Sequence, residues 1–494
     1  MAQPGVPEHG RAAWRRAGVE GGRLSHGLQT RGGLSDGAPR PGPHRVVVVG
    51  GGFGGLNAAK ALAGAPVEVV LVDRRNYHLF QPLLYQVATG GLSPADIAAP
   101  LRHVLARRRN VSVLLGAAVD FDVERRELVL EDSRLGYDTL VVATGAEPSY
   151  FGHPEWESGA PGLKSIEDAT RIRARVLTAF ERAERAAGEQ ERAALLTFAI
   201  VGGGATGVEL AGALAELRRD TLAGNFRRFD PRSARILLVE AGERILSSYP
   251  RELSAKAQRS LERLGVEVLT ATQVTGVEAE RLELERGGRR QALDAFTILW
   301  AAGVRAAPLG RSLAERTGAA TDRQGRILVE RDLSLPGHPE IFVIGDLAHA
   351  LGRSGQPLPA VAPVAMQAGR FVGREITRRL AGKPRRAFHY RDKGNLATIG
   401  RAAAVAELGR LRFSGFPAWV LWLVVHLMYL VGFANRVLVL FQWAWYYFTH
   451  NRTARLITES REGADAGAGE SNPAPRLGGE RGTPAPSGDD SPRA

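Results

Sequence analysis

Two glycine fingerprints, each set between a short apolar run and a helical pattern, constrain this chain more than anything else in it. Gly50, Gly52 and Gly55 form GxGxxG directly after the run that starts at Arg45 (RVVVV), and LNAAKAL continues as a helix. Gly202, Gly204 and Gly207 repeat the pattern after TFAIV (197–201), ahead of VELAGALAEL. The first glycine of such a motif permits a tight turn and the second lets backbone approach a pyrophosphate. The third allows close helix–strand packing, with the phosphates at the helix N-terminus. Asp73 ends the next apolar run, VEVVLV (67–72), where a carboxylate can accept from ribose hydroxyls. Glu240 holds the same place after RILLV (235–239). Its distance from the fingerprint exceeds the usual ~20 residues, so an insertion at about 216–234 is expected between them. An acid at 240 favours NAD, because it binds a 2′-hydroxyl and repels a 2′-phosphate. Arg244 lies close enough to keep NADP open.

Further apolar runs, LVVA (140–143) and FTILWAA (296–302), alternate with helical patterns such as 167–187. Strands alternating with helices predict an α/β fold with parallel sheets, and the restart at residue 197 predicts two similar Rossmann-like dinucleotide-binding units. VVATGAEP (141–148) and LWAAGVRA (299–306), the second containing Gly303, are matching segments that close the units. Two dinucleotide sites imply two dinucleotides. The economical pair is a flavin and a nicotinamide one, since hydride passes between them. IFVIGDLAH (341–349) fits this reading: Gly345 and Asp346 follow a strand, where the carboxylate can bind a flavin ribityl hydroxyl. On its own, Gly-Asp is a common turn.

The chain has 494 residues and no cysteine. Disulfide scaffolds, cysteine-ligated metals, thiol nucleophiles and CxxC redox chemistry are therefore excluded, and no metal site is predicted. The net charge of +13 comes almost wholly from Arg in an Ala-, Gly- and Pro-rich chain, which reads as compositional bias as readily as function. No compact basic run carries interleaved aromatics, so nucleic acid is not an expected partner. Residues 1–43 hold no apolar stretch of the kind a secretory signal needs, and the low-complexity stretch 459–494 cannot bury a core. Both ends read as disordered.

Near the C-terminus, residues 413–435 carry no formal charge except the titratable His426, and VLVLFQWAWYYF follows Arg436. As a helix the first stretch would reach ~35 Å, enough for a bilayer core. Four of the seven tryptophans (Trp419, Trp422, Trp443, Trp445) fall here, with Arg410, Arg412, Arg436, Arg452 and Arg455 as flanking partners for anionic headgroups. A spanning helix, a soluble core pair and an apolar platform entering one leaflet are the three readings. No chain of intramembrane acids and bases is present, so proton pumping is not expected.

RRNYHLFQPLLYQVATG (74–90), VGGGATGVELAGAL (201–214), VIGDLAH (343–349), AVAPVAMQAGR (360–370), DKGNLATIGR (392–401) and the C-terminal WLVVHLMYLVGFANR stretch, in this order, resemble the type II NADH:quinone oxidoreductases. These are single-chain FAD enzymes of respiratory membranes with a glutathione-reductase-like fold, and the likeness runs from about Arg45 to Thr458. It implies an FAD domain at 44–160 and 310–385, an NADH domain at 161–309 and a membrane-docking region at 386–458. It also implies a peripheral, monotopic place on the cytoplasmic face of the cell membrane, a membrane quinone as acceptor, and allows a homodimer. The spanning helix at 413–435 becomes the second reading. Carried over, Gly50, Gly52, Gly55, Asp73, Thr144, Gly145, Gly345, Asp346 and Gln367 match FAD positions, and Gly202, Gly204, Gly207, Glu240 and Gly303 match NADH positions. Glu209 matches a glutamate implicated in nicotinamide placement or proton delivery; the plainer reading is a first-turn acid that complements the helix dipole. Lys393 matches a lysine beside the flavin and the quinone tunnel. The family's quinone motif often reads AQxAxQQG, whereas Pro363 and Ala368 stand here in place of glutamines and cannot offer a side-chain hydrogen bond to quinone. Relatives that need a redox thiol, sulfide:quinone oxidoreductases among them, cannot be built from this chain. Two other functions fit the fingerprints: an NAD(P)H:flavin reductase with a soluble acceptor, and a membrane-bound FAD/NAD sensor without turnover.

Overall fold

The computed structural model describes residues 42–431, 433–449, 452 and 454–458. The two tails read as disordered lie outside the described residues, apart from residues 42 and 43. Strand Arg45–Val49 explains the first unit: its Val46 and Val48 enter one core and its Val47 and Val49 another, on opposite faces of the same sheet. A strand covered on both sides has to be apolar at every position, and it pairs in parallel with Glu68–Asp73 on one side and Thr139–Val142 on the other. Val111–Leu115 and His338–Val343 extend this sheet in parallel, and Ser334–Leu335 adds an antiparallel edge. Strand Thr197–Val201 repeats the arrangement between Arg235–Val239 and Thr297–Trp300, with Val266–Leu269 outside. Its alternate residues also divide between two cores.

The chain enters the second unit and leaves it through the two segments that looked alike in sequence. They lie side by side as an antiparallel ribbon, Ala146–Pro148 against Val304–Ala306. The first sheet then recovers a late strand, His338–Val343, beside Thr139–Val142. Helix Ala362–Leu380 packs on the first-fingerprint helix, Phe53–Leu62, closely enough that a Cβ on Gly369 would lie 2.1 Å from Gly54 O. The insertion expected before Glu240 is a π-helical turn (Leu217–Thr221), a loop and a short 3-10 turn (Pro231–Ser233).

A three-stranded meander (Asn395–Thr398, Ala404–Leu408, Leu411–Gly415) leads into two helices, Phe416–Tyr429 and Phe433–Thr449. This corrects the spanning reading: residues 413–415 are strand, and the first helix stops at Tyr429. At 14 residues it reaches ~21 Å, short of a ~30 Å hydrocarbon core. No helix among the described residues is long and apolar enough to cross a membrane. The tryptophan and arginine readings also need correction. Trp422 and Trp443 are core residues and Trp419 packs half-buried against the same core, which leaves Trp445 as the exposed one of the four. Arg452 is buried against Glu216 rather than placed to meet headgroups.

Candidate functional site

In each unit the acid at the end of the second strand reaches back to the fingerprint. Gly51 N–H donates to Asp73 Oδ2 at 2.5 Å, and Gly203 N–H donates to Glu240 Oε2 at 2.6 Å. The other oxygen of each acid accepts from the amide two residues on, Arg75 N or Gly242 N, at 2.7 Å in both cases. A carboxylate offers about four lone-pair directions, so each acid retains capacity for a ribose hydroxyl. Gly50 and Gly202 adopt φ of +102° and +109°, open to glycine. A Cβ on Gly55 would lie 1.8 Å from Gly50 O, and one on Gly207 would lie 1.9 Å from Gly202 O. By contrast, nothing lies within 4 Å of a Cβ placed on Gly52 or Gly204. Those two glycines cap their helices without side-chain help, so unpaired first-turn N–H groups face open space where an anion is favoured.

The first cradle has the donor and acceptor set that FAD needs. The Thr144 hydroxyl is buried without a partner, and Gly145 beside it has φ +74°. Asp346 sits in the turn Gly345–Leu347. Burial raises its carboxyl above the ordinary value, opposed by the charges of Lys164 and Arg326. The Gln367 side chain bridges from its helix to the segment that follows it. Its Nε2 donates to Arg391 O at 2.9 Å, and Arg391 N donates to its Oε1 at 3.0 Å. It thereby fastens the loop that carries Lys393, which is exposed. Ala368 is buried in the core with Leu56 and Phe388, and Pro363 lies in the first turn of its helix, where a missing N–H costs little.

At the second cradle, Gly303 has φ +69°, and a Cβ there would lie 2.6 Å from the Phe151 ring. Arg244 is not free to meet a 2′-phosphate: its guanidinium donates to the carbonyls of Leu246, Ser247 and Tyr249. Glu209 lies in the second turn of helix Ala205–Glu216, whose first turn holds no acid, so the helix-dipole reading is corrected. Its carboxyl is buried beneath the C-terminal region. Thr398 N approaches Oε1 at 3.4 Å, and Trp422 Nε1 lies beside it without a well-formed hydrogen bond. Burial pushes this carboxyl up to about 8.

Residues 44–369 match the pyridine nucleotide-disulphide oxidoreductase family model, and residues 393–450 match the NDH2 C-terminal domain. The type II NADH:quinone oxidoreductase Ndh of Mycobacterium tuberculosis is 44% identical over 432 residues, covering 86% of this chain and 92% of that one. The chain belongs to the type II NADH:quinone oxidoreductases. A second member of the family from the same organism, NdhA, is 45% identical over 437 residues with the same coverage. The solved structure of NDH2 from Plasmodium falciparum with NADH superimposes with a TM-score of 0.75 at 20% identity, covering 83% of this chain and 99% of that one. The sulfide:quinone oxidoreductase of Aquifex aeolicus, at 16% identity and a TM-score of 0.64, shares the fold over 86% of this chain. Like other members of this family, the chain uses FAD, with NADH as its substrate.

Residue reasoning from sequence missed the groups that tie the C-terminal region to this site. Glu216, seven residues after Glu209 on the same helix, accepts from Arg401 N and from Tyr446 OH (2.9 Å) and pairs with Arg452 at 3.3 Å. Two acids seven apart in an otherwise apolar helix were the available signal, since that spacing puts both on one face.

Proposed function

We propose that the protein works at a membrane surface, passing hydride from NADH to FAD and two electrons on to a membrane quinone without pumping protons. The sum is NADH, a proton and quinone giving NAD⁺ and quinol. The chemistry that FAD supplies when bound is hydride acceptance on one side and two-electron delivery on the other. The chain's own residues supply placement and protons. Asp73 and Glu240 hold the two loops, and the open N-termini behind Gly52 and Gly204 bind the pyrophosphates. One observation carries the reading: Glu209, on the helix of the NADH cradle, is covered by Trp422 of the C-terminal region. The nucleotide site and the apolar platform thus meet at a carboxyl that stays protonated at neutral pH and can give a proton to a reduced acceptor. Lys393 lies on the exposed loop that Gln367 fastens, two residues beyond Arg391. The platform supports a lipid-soluble acceptor over a soluble one. Phe416, Val420, Val424 and Met428 are exposed at helical spacing on the first helix, and Phe441, Trp445 and Phe448 on the second.

The test is anaerobic reduction of the yellow holoenzyme by NADH, followed by reoxidation with a short-chain quinone. Bleaching and return of the flavin absorbance are expected. A flavin that NADH leaves unbleached would favour the sensor reading. One that bleaches but is reoxidised by a ferredoxin or oxygen and not by quinone would favour the soluble-acceptor reading.

A further inference from the structure

His78 lies in the short strand Tyr77–Leu79, which follows Asp73, outside both fingerprints. It is 2% exposed. Its Nδ1 lies 2.9 Å from Gly51 O. A carbonyl can only accept, so Nδ1 carries the proton and the imidazole donates. Gly51 is therefore fixed at both of its backbone groups, its N–H by Asp73 and its carbonyl by His78.

The second unit makes the same two bonds. Gly203 N–H donates to Glu240, and Gly203 O accepts from Leu246 N at 2.7 Å. His78 stands five residues after Asp73, and Leu246 six after Glu240. In both units the chain leaves the acid and doubles back to bond the middle glycine's carbonyl. Only the donor differs: an imidazole at one site, a backbone amide at the other, where Leu246 takes φ +48°.

The consequence follows from peptide geometry. The carbonyl of Gly51 and the N–H of Gly52 belong to one planar trans peptide and point in opposite directions. Drawing Gly51 O towards His78 turns Gly52 N–H the other way, into the open side of the cradle, where nothing lies within 4 Å of a Cβ placed on Gly52. A Cβ on Gly51 itself would meet Leu101 at 2.6 Å, so this peptide is also confined from behind. We propose that His78 is a positioning residue for FAD, locking the Gly51–Gly52 peptide so that its N–H faces the cofactor's pyrophosphate. Burial holds the imidazole down to about 4, so the group is neutral at working pH and the donor role does not require charge. Phe53, the first residue of the fingerprint helix, packs edge-on against the ring with centroids 5.1 Å apart and keeps it in this orientation.

Two substitutions separate the hydrogen bond from the space the ring fills. His78→Phe keeps a ring and removes the donor; His78→Asn places an amide N–H close to where Nδ1 stood. The readouts on purified holoenzyme are the FAD dissociation constant, from flavin fluorescence on dilution, and the KM for NADH. His78→Phe should weaken FAD by about tenfold or more, the effect of leaving one buried acceptor unpaired. His78→Asn should stay within about threefold of the parent. The KM for NADH of the flavin-loaded protein should be unchanged in both, because Leu246 performs the matching task there. Wild-type FAD affinity in His78→Phe would overturn the proposal, as would an equal loss in both variants. If His78→Phe is not recovered folded, His78→Asn decides alone: FAD affinity within threefold supports the role, and a loss beyond tenfold overturns it.

Discussion

Glu209 shares its surroundings with Tyr85, Tyr249, Trp422 and the Thr398 amide, and no cation offsets its burial. The unfolded chain should release this proton near 4.5, whereas the folded protein holds it to about 8. Between those values the folded state binds more protons than the unfolded one, so stability falls as pH rises through the window. Glu209→Gln removes the titration and keeps the shape. Its melting temperature should match the parent's at pH 4.5 and lie progressively above it towards pH 8. If Glu209 also delivers the proton to quinone, the variant should lose about ten- to a hundredfold in quinone turnover. The parent's fall in rate above about pH 8 should then be absent from the variant. A parallel pH dependence of stability in both proteins would remove the buried carboxyl from this account. The residue's exact setting was not legible in sequence, because neither Trp422 nor Thr398 is near it in the chain. Only the fold brings residues 189 and 213 positions away onto one carboxylate.

At the scale of elements, the parallel strands and both fingerprint helices were legible because each carries a local signal: an unbroken apolar run, then glycines at fixed offsets. Asp73 and Glu240 were readable for the same reason. The C-terminal helices were not. Their composition suggested an apolar helix over 413–435 and a second apolar run after Arg436, but Leu411–Gly415 pairs as a strand with Ala404–Leu408, and the helix that follows closes at Tyr429. What fixes their packing is partly a buried ion pair that no local pattern announces. Arg452 donates to Thr89 O at 3.0 Å and to Tyr446 OH at 3.0 Å while pairing with Glu216, so three separate elements converge on one guanidinium. Arg452→Met should destabilise the protein by roughly 3–5 kcal/mol, since a buried carboxylate then loses its cation. Adding Glu216→Gln to that variant should recover much of the loss, because the stranded charge is gone. Urea unfolding of the two variants and the parent checks this. Equal stability of Arg452→Met and the parent would show that the pair does not hold the joint.

For the whole molecule, the open question is how an apolar surface can be separated from the core it grew out of. Deleting the C-terminal region would not do so cleanly: Ala418, Trp422, Leu430, Val439 and Trp443 belong to the same core as Leu84, Tyr85 and Leu210. The outer stripe is separable, because Phe441, Trp445 and Phe448 are 70%, 60% and 78% exposed. Surface changes away from buried contacts usually cost less than ~0.5 kcal/mol. Replacing the three by Ser, Gln and Ser should therefore leave the fold, the flavin and the NADH site intact. Membrane docking driven by buried apolar area should weaken sharply, since each large side chain withdrawn from lipid forfeits ~1.5–3 kcal/mol. Co-sedimentation with anionic vesicles should fall from most of the protein to a small fraction. NADH oxidation with a water-soluble acceptor should remain within about twofold, as no residue of either cradle is touched. Turnover with a long-chain quinone in vesicles should drop with the bound fraction and return when a short-chain quinone is supplied in solution. Retained vesicle binding would place the docking surface elsewhere on the molecule. Equal loss with both acceptors would mean that these aromatics serve the fold or an assembly of copies, not the bilayer.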